Sequence, residues 1–264
     1  LREEVVTEFA AGAAGAAVDA PEAAITRNSY GALVLNAARA FFIDVDVDAS
    51  DRPQSSGSSS SSASAADPMA AARELVDALP LPGGVKSLLG GFFGSKPARP
   101  AAPPPPPPAP ADPSSAAMDR LRRWKAAHPE WRVRVYRTSA GLRYLVTHDV
   151  FSPTDPAAQQ AMTALGADPQ YIKLCQVQKT FRARLTPKPW RIGIENPPVG
   201  FPYEGAAEEA QMRQWEARYD AASRSRATCR FVEEIGTGAE HPDVASLREL
   251  HDEHTRAASG LPLA

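Results

Sequence analysis

Cysteine is scarce. Cys175 and Cys229 are the only two in 264 residues. That argues against a disulfide scaffold or a zinc site built on cysteine pairs, and a reducing, intracellular setting is expected. An excess of either charge is lacking as well. The 29 Lys and Arg residues against 31 Asp and Glu leave a formal net charge of -2. A globally basic nucleic-acid binder is ruled out, though a local basic patch is not. No apolar run reaches the ~18 residues of a membrane-spanning helix, so a soluble protein without a membrane span is expected. The chain begins at Leu1 rather than Met, so a fragment or processed form is expected, and a targeting segment can precede it.

What the chain does have is unevenly spread. Residues 49–117 contain SSGSSSSSASAAD and, near 103–113, PPPPPPAPADP. The first is a flexible polar tract and the second a semi-rigid polyproline II spacer. The proline run could also dock an SH3- or WW-type module. PMAAARELVDALP at 68–80 can form a short helix. The whole of 49–117 reads as a disordered low-complexity insertion between residues 1–48 and 118–264, two parts of one folded domain.

Outside the insertion, residues 1–16 read as a short helix and 17–30 as a loop. GALVLNAARAFFIDVDVD predicts strands at about 31–35 and 39–47, paired as a hairpin or bent pair with a turn near Asn36. Order is expected to resume at Met118 with an amphipathic helix that ends before Pro129. A hairpin follows, turning at Ser139-Ala140-Gly141. Helices are expected over 155–165 and 169–178, then a strand in TFRARLTPK, a helix over 206–224, a short strand in CRFVEEIG and a C-terminal helix. Hairpins dominate, so the fold class is α+β, a largely antiparallel sheet with flanking helices.

The chemistry concentrates in three places. In AFFIDVDVDAS, Asp44, Asp46 and Asp48 follow an apolar run at every second position. Strand residues i and i+2 share a face, so Asp44 and Asp46 sit side by side. Paired carboxylates repel unless one is protonated or a cation bridges them, and hard oxygen donors suit Mg2+ or Mn2+. A solvated acidic strand end is the plain alternative. In RTSAGLRYLVTH, Arg137, Arg143 and His148 are candidates for anion contacts. In FRARLTPKPWR, Arg182 and Arg184 share a strand face, with Lys188, Trp190 and Arg191 beyond. Basic strips with stacking rings suit phosphates and single-stranded nucleic acid, and a solvated basic face is the alternative.

These three blocks together resemble the archaeo-eukaryotic primase superfamily, the catalytic domain of primase-polymerases. IDVD at 43–46 is similar to its first motif, a hydrophobic strand carrying two metal-binding acids. TSAGLR at 138–143 resembles its second, with Ser139 and a glycine turn, but Arg143 stands where the family has a triphosphate-contacting histidine. Asp168 in LGADPQY is the candidate for the third motif's acid, and RARLTPK resembles the basic fourth element. The resemblance implies divalent metal at Asp44, Asp46 and Asp168. It also implies nucleoside triphosphate or nucleic-acid phosphates on Arg137, Ser139, Arg143, Arg182, Arg184 and Lys188. The RAFFIDVD, VYRTSAGLRYLVTH and FRARLTPKPWR blocks are also similar to those of an uncharacterised bacterial and plastid-lineage group.

Four functions follow as alternatives. One is metal-dependent nucleotidyl transfer with Asp44 and Asp46 at its centre. The second is a non-catalytic nucleotide- or nucleic-acid-binding module of the same fold, which the arginine at 143 favours. The third, ranked below these, is a DxD phosphatase, which would need a βαβ repeat. The fourth is a docking protein that uses the Pro/Ser-rich insertion.

Overall fold

The structure is a computed structural model, and it describes residues 3–9, 22–47 and 114–264. The chain divides into two units: Leu1–Arg52 with Ala111–Ala264, and Pro53–Pro110, the second lying wholly outside the described residues. The Ser-rich tract, the helix expected at 68–80, the proline run and Asp48 fall outside them too.

The first unit is α+β, with two four-stranded sheets. The first sheet has the order β1 (Glu4–Phe9), β2 (Ala23–Arg27), β3 (Leu33–Ala37), β7 (Phe181–Arg184). The second has the order β4 (Phe42–Asp46), β6 (Gly141–Val146), β5 (Val133–Thr138), β8 (Cys229–Ile235). Every pairing between these strands is antiparallel. The helices are α1 (Ser115–Ala127), α2 (Pro156–Leu165), α3 (Pro169–Gln178), α4 (Ala206–Ser223) and α5 (Pro242–Thr255). Among the described residues, no helix is long and apolar enough to cross a membrane.

Several expectations need correction. The helix expected over 1–16 is a strand at Glu4–Phe9. Val5, Val6 and Thr7 are consecutive β-branched residues, stiff at χ1, and pairing with β2 settles them as strand. The loop expected over 17–30 contains β2, whose Ala23 and Ile25 point inward. Asn36 is not in a turn. It lies buried within β3, where its Nδ2 donates to Thr26 Oγ1 at 2.8 Å, so a residue with turn character is absorbed by a cross-strand bond. β3 and β4 form no hairpin; the chain leaves one sheet and enters the other. Helix α1 begins at Ser115, not Met118, so residues 114–117 belong to the folded part and Ala117 is buried.

The core runs through both sheets. β6 is buried along its whole length because both faces of its sheet are covered. On one face the Tyr144 hydroxyl donates to the Ala117 carbonyl of α1. On the other, His251 of α5 lies against the rings of Phe42 and Tyr136. Phe41, where the chain passes between the sheets, packs its ring against Phe181 of β7, tilted by 32° with centroids 4.6 Å apart. The Tyr171 hydroxyl of α3 lies within bonding distance of both the Phe42 and the Arg182 carbonyls, at 2.8 and 3.0 Å. It thereby ties β4 to β7, the edge strands of the two sheets.

Candidate functional site

The register of β4 on β6 sets the site. Asp44 lies opposite Arg143 and Asp46 opposite Gly141. The two acids therefore share a face, and their cross-strand neighbours differ completely. Gly141 lets the strands close. A Cβ there would sit 2.0 Å from the Val45 carbonyl oxygen and 2.9 Å from the Val47 nitrogen, both rigid backbone. Thr138 shapes the turn by accepting from the Gly141 amide at 3.0 Å.

Arg143 is 1% exposed and grips Asp44 with both arms of its fork. Nε donates to Oδ1 at 2.6 Å and Nη2 to Oδ2 at 2.8 Å. Nη1 donates to the Arg184 carbonyl of β7 at 2.8 Å and lies 3.2 Å from His251 Nε2. A guanidinium has no acceptor, so Nε2 must accept, and the imidazole is neutral with its proton on Nδ1. That Nδ1–H donates to Asp252 Oδ1 at 3.0 Å. Burial holds the His251 pKa down at about 4, and the nearby Arg143 charge adds to this. Burial would lower the Arg143 pKa too, but Asp44 outweighs it and pushes the value up.

A cavity of about 310 Å³ opens beside this pair. Its wall carries Asp44, Asp46 and Asp168, with Arg143, Arg184 and Lys188 as cations and Tyr30, Thr138, Gln170 and Tyr171 as polar or aromatic neighbours. A second hollow of about 250 Å³ shares Tyr30, Asp44, Tyr171 and Arg184 with it and extends to Arg182 and Glu3. The Asp46 pKa is raised, first by burial and then by repulsion from Asp44, against the pull of Lys188 and Arg184. Asp168 adds to the rise. It also caps α3, accepting from the Gln170 amide at 2.6 Å. The three acids share one cavity. Among the described residues, however, no three acid, His or Cys side chains are grouped closely enough to hold a metal ion as they stand.

The basic residues divide. Arg184 and Lys188 line the cavity, and Arg184 Nε is buried without a hydrogen-bond partner. Lys188 sits over the Trp190 ring at 5.4 Å, and Trp190 lies edge-on to Tyr30 at 5.4 Å. Arg182 lines the adjoining hollow but is paired with Glu3 at 2.7 Å. Ser139 is not in the cavity wall; its hydroxyl accepts from Arg191. Arg137 faces a different cavity, of about 580 Å³, with Arg122 and Arg230. Alternation along β5 separates it from the acids. His148 is also outside the site: its Nδ1 accepts from the Arg132 amide and its ring lies against Trp131.

Sequence reasoning missed Tyr30, Tyr171 and the pair His251–Asp252. Tyr30 lies in a segment read as loop. The others lie on helices with no motif of their own. Cys229 Sγ is 3.9 Å from His251 Nε2, which superficially suggests a Cys-His-Asp constellation. The thiol is fully buried, its pKa is raised to about 11, chiefly by that burial, and Arg143 already occupies Nε2. It has none of the exposure or thiolate character a nucleophile needs. Comparisons of the chain with protein-family models, with curated proteins and with solved structures give no match.

Proposed function

We propose that the cavity between β4, β6, β7 and α3 binds a nucleoside triphosphate together with Mg2+ or Mn2+. The observation that carries this reading is the shared lining of one cavity of about 310 Å³ by Asp46 and Asp168 with Arg184 and Lys188. Acids and cations placed this way complement a metal-bridged polyphosphate. The cation neutralises acids that otherwise repel, and the guanidinium and ammonium take phosphate oxygens. Two features support it. The Asp46 pKa is raised by burial and then by repulsion from Asp44, a cost that a bound cation relieves. The partnerless Arg184 Nε marks a buried donor short of an acceptor. Tyr30 and Trp190, the latter 43% exposed, offer rings for a base, which extends the reading to single-stranded nucleic acid.

The resemblance to primase-polymerases and the side-by-side acids of β4 favour nucleotidyl transfer as a second reading. In it the cation aligns a hydroxyl with the α-phosphate. The buried fork of Arg143 on Asp44 favours binding without turnover, because one of the two acids is already engaged. The phosphatase alternative is the weakest, since no βαβ pairing occurs among the described strands.

Isothermal titration of Mg2+- or Mn2+-nucleoside triphosphate tests the reading. Metal-dependent binding is expected in the wild type, and its loss in Asp46→Asn and in Arg184→Gln/Lys188→Gln. Absence of metal-dependent binding in the wild type refutes it. Primer synthesis by the binding-competent protein would move the conclusion to nucleotidyl transfer.

A further inference from the structure

Positive charge gathers at a second place in the fold, independent of the site described above. Val45, Leu142, Arg137 and Arg230 are successive cross-strand neighbours, so they share one face of the second sheet. Asp44 and Asp46, on either side of Val45, take the other face. Arg137 and Arg230 thus stand directly opposite each other, an arrangement in which like charges repel. Both line the cavity of about 580 Å³, to which α1 contributes Ser114, Ser115 and Arg122. Ser115 is the first residue of this 13-residue helix, and Ser114 is its N-cap. The Ser114 side chain makes no capping bond and the first turn carries no acid. The cavity wall therefore includes a helix start, with its amides and the positive end of its dipole. The charged side chains of the wall are three guanidiniums, Arg122, Arg137 and Arg230, and two carboxylates, Asp119 and Glu233. One positive charge is in excess before the helix end is added. Both carboxylates lie near Arg122, at 3.9 and 3.2 Å. Arg230 is exposed and gives one N–H to the Leu261 carbonyl, and a guanidinium has five.

We propose that this cavity is a second, metal-independent binding site, for the phosphoryl group of a small organic phosphate monoester. Its donors come from three elements, the start of α1, β5 and β8, and a phosphoryl group presents three oxygens to them. A monoester carries roughly -1.5 to -2 charges at pH 7. The excess of one charge, with about half a charge more from the helix end, comes close to cancelling it. An anion seated between Arg137 and Arg230 also relieves their repulsion. Met118, Leu142 and Val232 lie in the same wall and offer an apolar surface to the organic part of the ester. Val232 is 49% exposed, so that surface is open to a ligand. The volume falls within the range of about 300–1,000 Å³ usual for small-molecule sites. A strand of nucleic acid asks for a longer run of cations than one excess charge, so the compact ligand is the better match.

Calorimetric titration of phenyl phosphate and of inorganic phosphate, in chelator and without nucleotide, tests this in the full chain. Four proteins are compared: wild type, Arg230→Gln, Ser115→Asp and Arg184→Gln/Lys188→Gln. The wild type is expected to bind phenyl phosphate about threefold or more tightly than inorganic phosphate, because only the ester reaches the apolar wall. Arg230→Gln is expected to weaken phenyl phosphate about tenfold, the loss of one charge-assisted contact. Ser115→Asp places an acid in the first turn of α1, which favours the helix and repels an anion. It is expected to weaken binding about tenfold while melting no lower than the wild type, so the loss cannot come from misfolding. Arg184→Gln/Lys188→Gln alters only the other cavity and is expected to bind within about twofold of the wild type. No binding of phenyl phosphate to the wild type overturns the proposal. So does equal affinity for the two phosphates, or binding that Arg230→Gln and Ser115→Asp leave unchanged. Binding lost only in Arg184→Gln/Lys188→Gln puts the phosphate in the cavity of Asp46 and Asp168, which overturns this inference and leaves the proposed function standing. A single-stranded oligonucleotide without terminal phosphates that binds more tightly than phenyl phosphate, and loses that binding in Arg230→Gln, also overturns the assignment to a small ester.

Discussion

Asp44→Ala tests the ion pair that anchors the buried Arg143 at the site. The substitution leaves the Arg143 guanidinium in place, 1% exposed, while its Nε and one Nη2 hydrogen lose their acceptors. The charge is then countered only by a backbone carbonyl and a neutral imidazole. Stranding one member of a buried pair costs about 3–5 kcal/mol. Asp44 itself is 33% exposed, so water reaches the vacated position and the low end applies, about 3 kcal/mol. For a folded unit of this size that corresponds to a midpoint lowered by about 6–12 °C. Asp44→Asn/Arg143→Met removes the charge as well as its partner. It deprives the Arg184 carbonyl and His251 Nε2 of a donor, a loss of about 1–2 kcal/mol, but leaves no ion behind. The double variant is therefore expected to be more stable than Asp44→Ala. Urea unfolding at pH 7, followed by tryptophan fluorescence and circular dichroism, measures all three proteins. An Asp44→Ala protein within about 1 kcal/mol of wild type, or a double variant no more stable than Asp44→Ala, refutes the argument.

Three further outcomes are expected. His251 has its pKa held at about 4 by burial, below the ~6.5 of the unfolded chain, so its contribution is intact above about pH 6.5 and is lost as pH falls toward 4. The loss amounts to about 3 kcal/mol, and urea unfolding at pH 7 and 4.5 should show it, with His251→Gln flattening the difference. Gly141→Ala would place a methyl 2.0 Å from the Val45 carbonyl oxygen, forcing β4 off β6. A loss of about 2 kcal/mol or more and weaker nucleotide binding are expected, read by thermal melting and calorimetry. Cys175 and Cys229 are buried, and burial pushes both thiols up to about 11. A disulfide-type thiol reagent at pH 8 should leave both unmodified in the native protein and modify both in denaturant.

The sequence carried local patterns well and long-range partners poorly. The hairpin of β5 and β6 was legible because a glycine turn lies between two runs of β-branched and aromatic residues, and its strands are neighbours in sequence. α2 and α3 were legible because Asp155-Pro156 and Asp168-Pro169 begin them. β1 and β2 were not. EVVTEF and AAITR are short, and their strand character comes from pairing with each other and with β3 across residues distant in sequence. Asn36 misled for the same reason: its side-chain bond to Thr26 exists only once β2 is in place.

The site shows the same limit at the level of single charges. Period-two spacing sufficed to put Asp44 and Asp46 on one face, since that follows from strand geometry alone. It could not distinguish them, because their difference lies across the strand, in a register that places Arg143 against one and Gly141 against the other. Arg143 reads in sequence as an arginine free to bind an anion. In the fold its N–H groups go to Asp44, the Arg184 carbonyl and His251, residues from β4, β7 and α5 that no spacing rule connects. Alternation along β5 likewise carried Arg137 to another cavity, whereas Arg184 and Lys188, close together in sequence, stayed with the acids. A motif of acids and arginines thus names the residue types that can meet a metal-bound phosphate. Which of them are left to meet it depends on which charges the fold has already paired with one another.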